Sequence, residues 1–265
     1  MEDFNFKKKF GQNFLKDINI VRKIANTASI TSKDLVIEVG PGKGILTKEL
    51  AKLSKKVIAY EIDTELTDYL NELKKEYPNI EVIYGDFIKS DIVSDIKNEE
   101  YENIYFVSNV PYYITTPILM KIMDTDIYFN KIVMMVQKEV GDRFSARPKT
   151  KEYNSLTVYL NYFFDVKKEF VVNRKEFTPV PNVDSVVVSF TRKKELLELN
   201  DKNHFFKLVR DSFQYKRKTI RNNLKGYDLE LVDSVLKEYN FSLSSRAEEL
   251  PVIVFVKISN ALTEE

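Results

Sequence analysis

Apolar residues recur along the first two thirds of the chain in short, β-rich runs separated by amphipathic stretches. Runs at 35–39, 57–60, 80–84, 104–107, 132–136, 158–172 and 185–190 predict strands, and helical spacing of apolar positions over 44–53, 64–76 and 116–124 predicts helices between them. Such alternation builds a mostly parallel sheet with helices on both faces, a doubly wound α/β arrangement of seven strands. After Arg192 the strand-type runs stop. Segments 203–214, 216–224 and 228–239 read as successive helices, and 249–258 stays open between strand and helix. A boundary near Lys193 is therefore expected, with an α/β domain over 1–192 and a small all-helical domain over 193–265.

Composition narrows the class without changing this division. The 265 residues are 43% hydrophobic and 31% charged, enough to bury one large core and a small one. The chain has no cysteine, which removes disulfides, thiolate metal sites and cysteine nucleophiles from consideration and agrees with a reducing compartment. Its one histidine, His204, stands alone in an amphipathic stretch, with no His or Cys cluster, so neither a zinc site nor a Ser/His triad is expected. The N-terminal residues are acidic and then basic, with no apolar segment after them, and no run reaches the roughly 18 apolar residues that a membrane span needs. A cytoplasmic protein without metal or membrane attachment is expected, as a monomer.

The formal charge of +1 conceals an asymmetry. Residues 167–225 carry 15 Lys or Arg against 7 Asp or Glu, a net of +8 that leaves −7 for the remainder. Positive charge is densest at Lys216, Arg217, Lys218 and Arg221, beyond Phe205, Phe206, Phe213 and Tyr215, and Asp211 is the only acid between His204 and Lys225. Cations with aromatic neighbours suit a phosphate backbone, whereas charge runs in general form solvated helix faces.

Candidate chemistry collects where strands end. The first strand runs into Glu38, Val39, Gly40, Pro41, Gly42, Lys43 and Gly44, at the carboxyl edge where doubly wound sheets bind ligands. A dinucleotide fingerprint would read G-x-G-x-x-G, but here Ile45 holds the place of the third glycine, which weakens a pyrophosphate reading. Glu61 ends the second strand, where a carboxylate can accept from both hydroxyls of a ribose, and Asp86 ends the third. Together they favour an adenosyl ligand over a purely structural turn. The fourth strand ends in Asn109, Val110, Pro111 and Tyr112. An amide oxygen and a carbonyl beside a rigid turn can each accept one N–H of an adenine amine while an aromatic face stacks on the extruded base. A strand stopping at a proline turn with a capping Asn would leave the same four residues, so these positions alone keep both readings open.

The loop 39–44, Glu61, Gly85 with Asp86, and Asn109 to Tyr112 resemble the S-adenosyl-L-methionine-dependent methyltransferases of Rossmann-like fold, in the branch that methylates the adenine amine of ribosomal RNA. Four further blocks, at 11–15, 137–140, 177–185 and 217–222, resemble in order the KsgA family of small-subunit rRNA adenine dimethyltransferases. The resemblance implies that Asn13 and Leu15 close over the cofactor, that Gly40 lines its methionine portion, that Glu61 holds its ribose hydroxyls and Asp86 its adenine, and that Gly42, Ile62 and Phe87 also belong to the cofactor site. It makes Asn109 common to both sites, with the Val110 carbonyl beside it, Tyr112 stacking on the target base and Phe177 stacking from the other side. Lys216, Arg217, Lys218 and Arg221 are implied contacts to RNA. The expected substrate is two adjacent adenosines in a hairpin loop near the 3′ end of 16S rRNA, in the small ribosomal subunit or its precursor, each dimethylated during subunit maturation.

Two positions depart from that family. Val110 replaces its usual leucine, and Lys43 gives a G-P-G-K-G loop more typical of the Erm family, which methylates large-subunit 23S rRNA and confers macrolide resistance. A third alternative is a non-catalytic nucleic-acid-binding relative, against which Glu61, Asp86 and Asn109 to Tyr112 argue.

Overall fold

The computed structural model describes residues 14–110 and 112–264. Two compact units emerge, one of residues 1–141 with 167–192 and one of 142–166 with 193–265. Residues 142–166 group with the second unit and not with the α/β unit, so the division is not a single cut along the chain.

In the first unit a seven-stranded sheet is built from β2 (Leu35–Val39), β3 (Lys56–Glu61), β4 (Ile80–Tyr84), β5 (Ile104–Ser108), β6 (Lys131–Gln137), β7 (Phe164–Val172) and β9 (Ser185–Arg192), in the order β4-β3-β2-β5-β6-β9-β7. Strands β4 to β6 of that order run parallel, and β9 pairs antiparallel to β6. Helices α2 (Ile45–Leu53), α3 (Thr67–Glu76), α4 (Ile92–Ile96) and α5 (Thr115–Asp124) make the crossovers, and α1 (Ile18–Thr27) precedes the sheet. Every residue of β2 is buried, as expected for a central strand covered on both faces. On one face Val36, Val57, Val107, Val133 and Val187 share a core cluster with Val21, Ile24 and Ala25 of α1 and Leu46 and Leu50 of α2. Elsewhere in the core, rings pack in a series, Tyr60 to Phe87 at 5.0 Å, Phe87 to Phe106 at 6.0 Å and Phe106 to Phe129 at 6.4 Å.

Beneath the amino end of β2, Asp34 is fully buried and fully engaged. It accepts from the Thr31 amide and hydroxyl at 2.7 and 2.8 Å and from Asn103 Nδ2 at 2.9 Å, while Asn130 Nδ2 donates to Asn103 Oδ1 at 3.0 Å. This network joins the starts of β2, β5 and β6 and leaves their opposite ends for ligands. A second, two-stranded sheet pairs β1 (Phe14–Leu15) with β8 (Phe177–Thr178), Leu15 opposite Phe177, and so draws the segment before α1 to the segment before β9.

The second unit is helical: α7 (Ser155–Phe163), α8 (Lys202–Ser212), α9 (Ile220–Asn223), α10 (Leu229–Glu238) and α11 (Val252–Ala261), with α6 (Lys138–Phe144) at the junction. The expected strand 158–172 is thus α7 followed by β7. Asn154 starts α7 with a capping box, its side chain accepting from Leu156 and Thr157 amides, and Val158, Tyr159, Leu160, Tyr162 and Phe163 are all buried. A helix apolar on all sides shows no helical period and looks like a buried strand. Its aromatic rings pack on α8, Tyr159 on Phe206 at 4.4 Å and Tyr162 on Phe205 at 5.2 Å. The ambiguous stretch 249–258 becomes a short turn and α11, for the same reason: Val254, Phe255, Val256 and Ile258 are buried together.

Candidate cofactor and base site

Strand order reverses between β2 and β5, because the chain crosses from β2 to β3 and β4 on one side and returns to β5 on the other. Loops leaving these two strands must diverge, and the gap between them is where doubly wound sheets take ligands. Here that gap is a cavity whose wall includes Leu15, Gly40, Gly42, Glu61, Ile62, Asp86, Phe87, Asn109 and Val110. Ser108, fully buried, donates its hydroxyl to the Val39 carbonyl and fastens the end of β5 to the end of β2.

The glycine loop is shaped by backbone that other residues rarely adopt. Gly40, Gly42 and Gly44 have φ of 70°, 60° and 78°. Gly40 N–H donates to the Tyr60 carbonyl at 2.9 Å and Gly44 N–H to the Pro41 carbonyl at 2.9 Å, closing the loop over the strand ends. A Cβ at Gly42 would lie 2.9 Å from Phe14 Cε1, so the absence of a side chain lets the Phe14 ring rest against the loop. Gly44 is the N-cap of α2 and offers no side chain to cap its first turn, leaving the positive end of the helix dipole beside the cavity.

Glu61 is buried, and both carboxylate oxygens are held. Oε2 accepts from Gly42 N–H at 3.1 Å and Oε1 from Asp63 N–H at 2.8 Å. Each carboxylate oxygen has two acceptor sites, so one on each remains for a vicinal diol. Burial raises the Glu61 pKa, and the backbone N–H donors of Asp63 and Gly42 oppose the shift. Asp86 accepts from the Ile88 amide at 3.0 Å through Oδ1, which fixes its carboxyl at the start of the turn Phe87–Lys89. Phe87 is buried and meets Tyr60 edge-on, whereas Ile62 is 48% exposed at the cavity rim. Asn109 is half-buried and Val110 buried at the end of β5.

Not every expected residue is brought here. Asn13, Pro111 and the Tyr112 side chain lie outside the described part of the structure; the Tyr112 backbone opens the turn Tyr112–Ile114. Phe177 corrects an expectation. It is 1% exposed, shares the apolar cluster that holds Leu15 and does not line the cavity, because its pairing with Leu15 commits it to the core. A ring so covered offers no face to a base.

Other wall residues were not anticipated. Phe14, Tyr113 and Ile114 line the cavity, Tyr113 with 62% exposure. Lys43, marked in the sequence only as a departure, places Nζ 5.0 Å from the Tyr69 ring and 5.9 Å from the Phe14 ring, within reach of cation–π attraction. Glu38 also lines the cavity and is 1% exposed, with Oε2 lacking a hydrogen-bond partner among the described residues. Its pKa is pushed up to about 8, by burial first; the Thr47 hydroxyl nearby opposes the shift and the charge of Glu61 adds to it. Its signal in the sequence was an acid directly before a glycine loop at the end of a wholly apolar strand.

In the second unit Lys216, Arg217, Lys218 and Arg221 are all exposed, and none forms an ion pair with an acid among the described residues. The expected helix 216–224 is shorter: Lys216, Arg217 and Lys218 lie in a turn, and only Ile220–Asn223 is helical. Asn223 holds that turn, donating Nδ2 to the Ser212 carbonyl at 2.7 Å and accepting from the Tyr215 amide at 3.2 Å. The Ile220 and Arg221 amides are taken by the carbonyls of Ser245 and Leu243, so α9 starts against that loop and not at Lys216. Tyr215, 58% exposed, stands next to the cations.

The ribosomal RNA adenine dimethylase family pattern matches residues 3–264. The chain belongs to that family. This dimethylase is a methyltransferase whose relatives include proteins named ribosomal RNA small subunit methyltransferase A. The Bacillus cereus protein is 44% identical over 269 residues, covering 98% of this chain and 92% of its own. The Streptococcus thermophilus protein is 44% identical over 272 residues, with 98% and 93% covered. Among solved structures, the dimethylase superposes on a dimethyladenosine transferase from Plasmodium falciparum with a TM-score of 0.78 at 30% identity, covering 92% of this chain and 95% of the other. The 23S rRNA methyltransferase ErmE superposes with a TM-score of 0.73 at 28% identity, covering 95% and 100%. The sheet described above is accordingly the Rossmann-like methyltransferase fold.

Proposed function

We propose that this enzyme transfers methyl groups from S-adenosyl-L-methionine to the exocyclic amines of two adjacent adenosines in a hairpin loop near the 3′ end of 16S rRNA, dimethylating each during maturation of the small subunit. The observation that carries this reading is 44% identity along 98% of the chain to proteins named for the small subunit. The lower identity to ErmE, 28%, disfavours a 23S substrate, and the Gly42–Glu61 hydrogen bond together with the cavity favours a working site over a non-catalytic relative.

The donor set fits an adenosyl cofactor. Glu61 has one acceptor site left on each oxygen for the ribose hydroxyls, Asp86 stands at the next strand end for the adenine, and Gly40 and Gly42 leave backbone exposed for the methionine portion. Leu15 and Phe14 line the wall; in this reading Asn13 and Leu15 close over the cofactor, and Ile62 and Phe87 stand against it. When bound, the cofactor supplies a methyl group already activated on a positive sulfur. What remains for the protein is placement and the replacement of water by fixed dipoles, each able to contribute several kcal/mol. The Asn109 side-chain oxygen and the Val110 carbonyl each accept one N–H of the target amine, so that its lone pair localises toward the methyl donor. Tyr112 stacks on the base, and no ionised base is required, since the proton leaves to solvent after transfer.

Binding of RNA is assigned to the second unit through Lys216, Arg217, Lys218 and Arg221, which are exposed and form no salt bridge with an acid among the described residues. The reading places the enzyme in the cytoplasm, where ribosomal subunits mature, as a monomer. Single-turnover methyl transfer to undermethylated small subunits tests it: Asn109→Ala should reduce the transfer rate far more than it reduces RNA affinity. Near-normal transfer by that variant would overturn the role of Asn109.

A further inference from the structure

The cavity wall contains a carboxyl that neither the fold nor the assigned contacts use. Glu38 stands at the end of β2, 1% exposed, and its Oε2 has no partner among the described residues although it borders the cavity. Structural carboxylates inside proteins are normally paired or fully hydrogen-bonded, because an isolated buried charge is costly. Asp34, in the same strand's approach, shows the ordinary case with three donors on its two oxygens. Glu38 Oε2 has no such donor among the described residues.

Among the described residues, the groups around it supply no counter-charge. On β3 the neighbouring acid is Glu61, of like charge; on α2 the polar group is Thr47; on β5 Ser108 is committed to the Val39 carbonyl; on α1 Val21 and Ile24 line the same cavity, and Arg22 is paired to Glu49. Asp86 adds a third acid to the wall, and Lys43, the cation of the wall, sits against the Phe14 and Tyr69 rings. A cavity lined by Glu38, Glu61 and Asp86 suits a ligand of net positive charge. Two buried acids in one cavity do not readily ionise together, and burial with the Glu61 charge keeps the Glu38 carboxyl protonated near neutrality, its pKa standing at about 8.

We infer that Glu38 is the charge-compensating group of this cavity: uptake of a cationic adenosyl ligand draws the proton off its carboxyl into solvent, and the carboxylate left behind balances the ligand. No bond other than O–H breaks, and the proton passes to buffer. The inference rests on the proposed use of S-adenosylmethionine and adds to it a proton linkage that the ribose and adenine contacts do not require. Linkage fixes the sign. A ligand that binds the ionised form better releases a proton, and its affinity rises with pH until the empty protein's Glu38 is itself ionised.

Titration calorimetry of S-adenosylmethionine into the whole protein, repeated at pH 7 in buffers of different ionisation enthalpy, counts the protons directly. The expected result is a release approaching one proton per ligand, with affinity rising up to about tenfold per pH unit below the Glu38 pKa. Glu38→Gln, close in shape to the protonated acid, should bind without that release and with a flat pH profile. S-adenosylhomocysteine, which keeps the ammonium but has neutral sulfur, tells which charge is balanced: a smaller release assigns the sulfonium, and an equal one the ammonium. Binding by the parent protein without proton release, or release unchanged in Glu38→Gln, overturns the inference while leaving the cofactor reading intact. No binding of S-adenosylmethionine at all overturns both. Because the parent protein carries the decisive count, the test holds even if the variant folds poorly.

Discussion

Gly42 donates its backbone N–H to Glu61 Oε2 at 3.1 Å, so the loop after β2 and the acid at the end of β3 form one unit across the mouth of the cavity. Removing the acid therefore releases the loop as well as its ligand contacts. Glu61→Ala should weaken S-adenosylmethionine binding at least about tenfold, since hydrogen bonds to a charged acceptor contribute roughly 1.5 to 3 kcal/mol each before water substitutes. Titration calorimetry checks it, and unchanged affinity would remove Glu61 from the site.

The same loop tolerates no side chain at Gly42. Its φ of 60° is strained for other residues, and a new Cβ would press on Phe14 at 2.9 Å. Gly42→Ala should lower cofactor affinity while costing on the order of 1 to 3 kcal/mol of stability. Equilibrium denaturation and calorimetry on the same sample separate the two effects; an unaltered affinity would show that Phe14 and the loop do not act together.

A second glycine tests the packing of the sheet. A Cβ at Gly141 would come within 2.3 Å of Val186 Cγ1 and 3.2 Å of Val188 Cγ2 on β9. Gly141→Ala should destabilise by about 1 to 3 kcal/mol, the usual range for overpacking a filled core. Urea unfolding is the measurement, and a midpoint equal to that of the parent would contradict the packing described.

Stability should also carry the mark of Glu38. Its pKa is raised from 4.5 to about 8 in the folded protein, so over that interval the folded state holds a proton that the unfolded chain gives up. Unfolding then releases a proton, and stability falls as pH rises from about 4.5 to 8, levelling beyond. The melting temperature of the ligand-free parent should drop more between pH 5.5 and 8 than that of Glu38→Gln; parallel profiles would show that Glu38 is ionised in the folded state.

Much of this was legible in the chain. Strands 35–39 and 80–84 were read with the bounds they have: β2 is a central strand buried along its whole length, and β4, at the sheet edge, keeps Ile80, Val82 and Ile83 in a β-rich run that stops at Gly85. The loop, Glu61, Asp86 and Asn109 fell at one sheet edge because strand ends must converge there. Failures came where tertiary contacts decide. Residues 158–163 are helical although their run resembles a strand, since burial on all sides erases the helical period. Lys216 to Lys218 form a turn because Asn223 and the loop at Leu243 and Ser245 capture its backbone, contacts no local pattern announces. Phe177 is drawn into the core by a two-residue strand pairing too short to leave a periodic trace. Glu38 was visible as an acid, but its lack of a partner is a property of three elements together.

The basic turn yields a salt-dependence prediction. If Lys216, Arg217, Lys218 and Arg221 touch phosphates, replacing all four by Gln should flatten the slope of log affinity against log salt by about 0.7 to 0.9 for each phosphate no longer neutralised. Cofactor affinity should persist. An unchanged slope for ribosomal RNA would place the RNA footprint on another surface.

The central claim is the identity of the substrate, and the nucleoside cavity cannot decide it, because an amine, a base face and an adenosyl group are common to small- and large-subunit targets. RNA is selected largely through shape, backbone and unstacked loop bases. The most direct measurement is mass spectrometry of nuclease fragments of ribosomal RNA after incubating undermethylated small and large subunits with the enzyme and S-adenosylmethionine. Two dimethyladenosines in one fragment near the 3′ end of 16S rRNA, with large-subunit rRNA unmodified, is the predicted result. Dimethyladenosine confined to 23S fragments would contradict it.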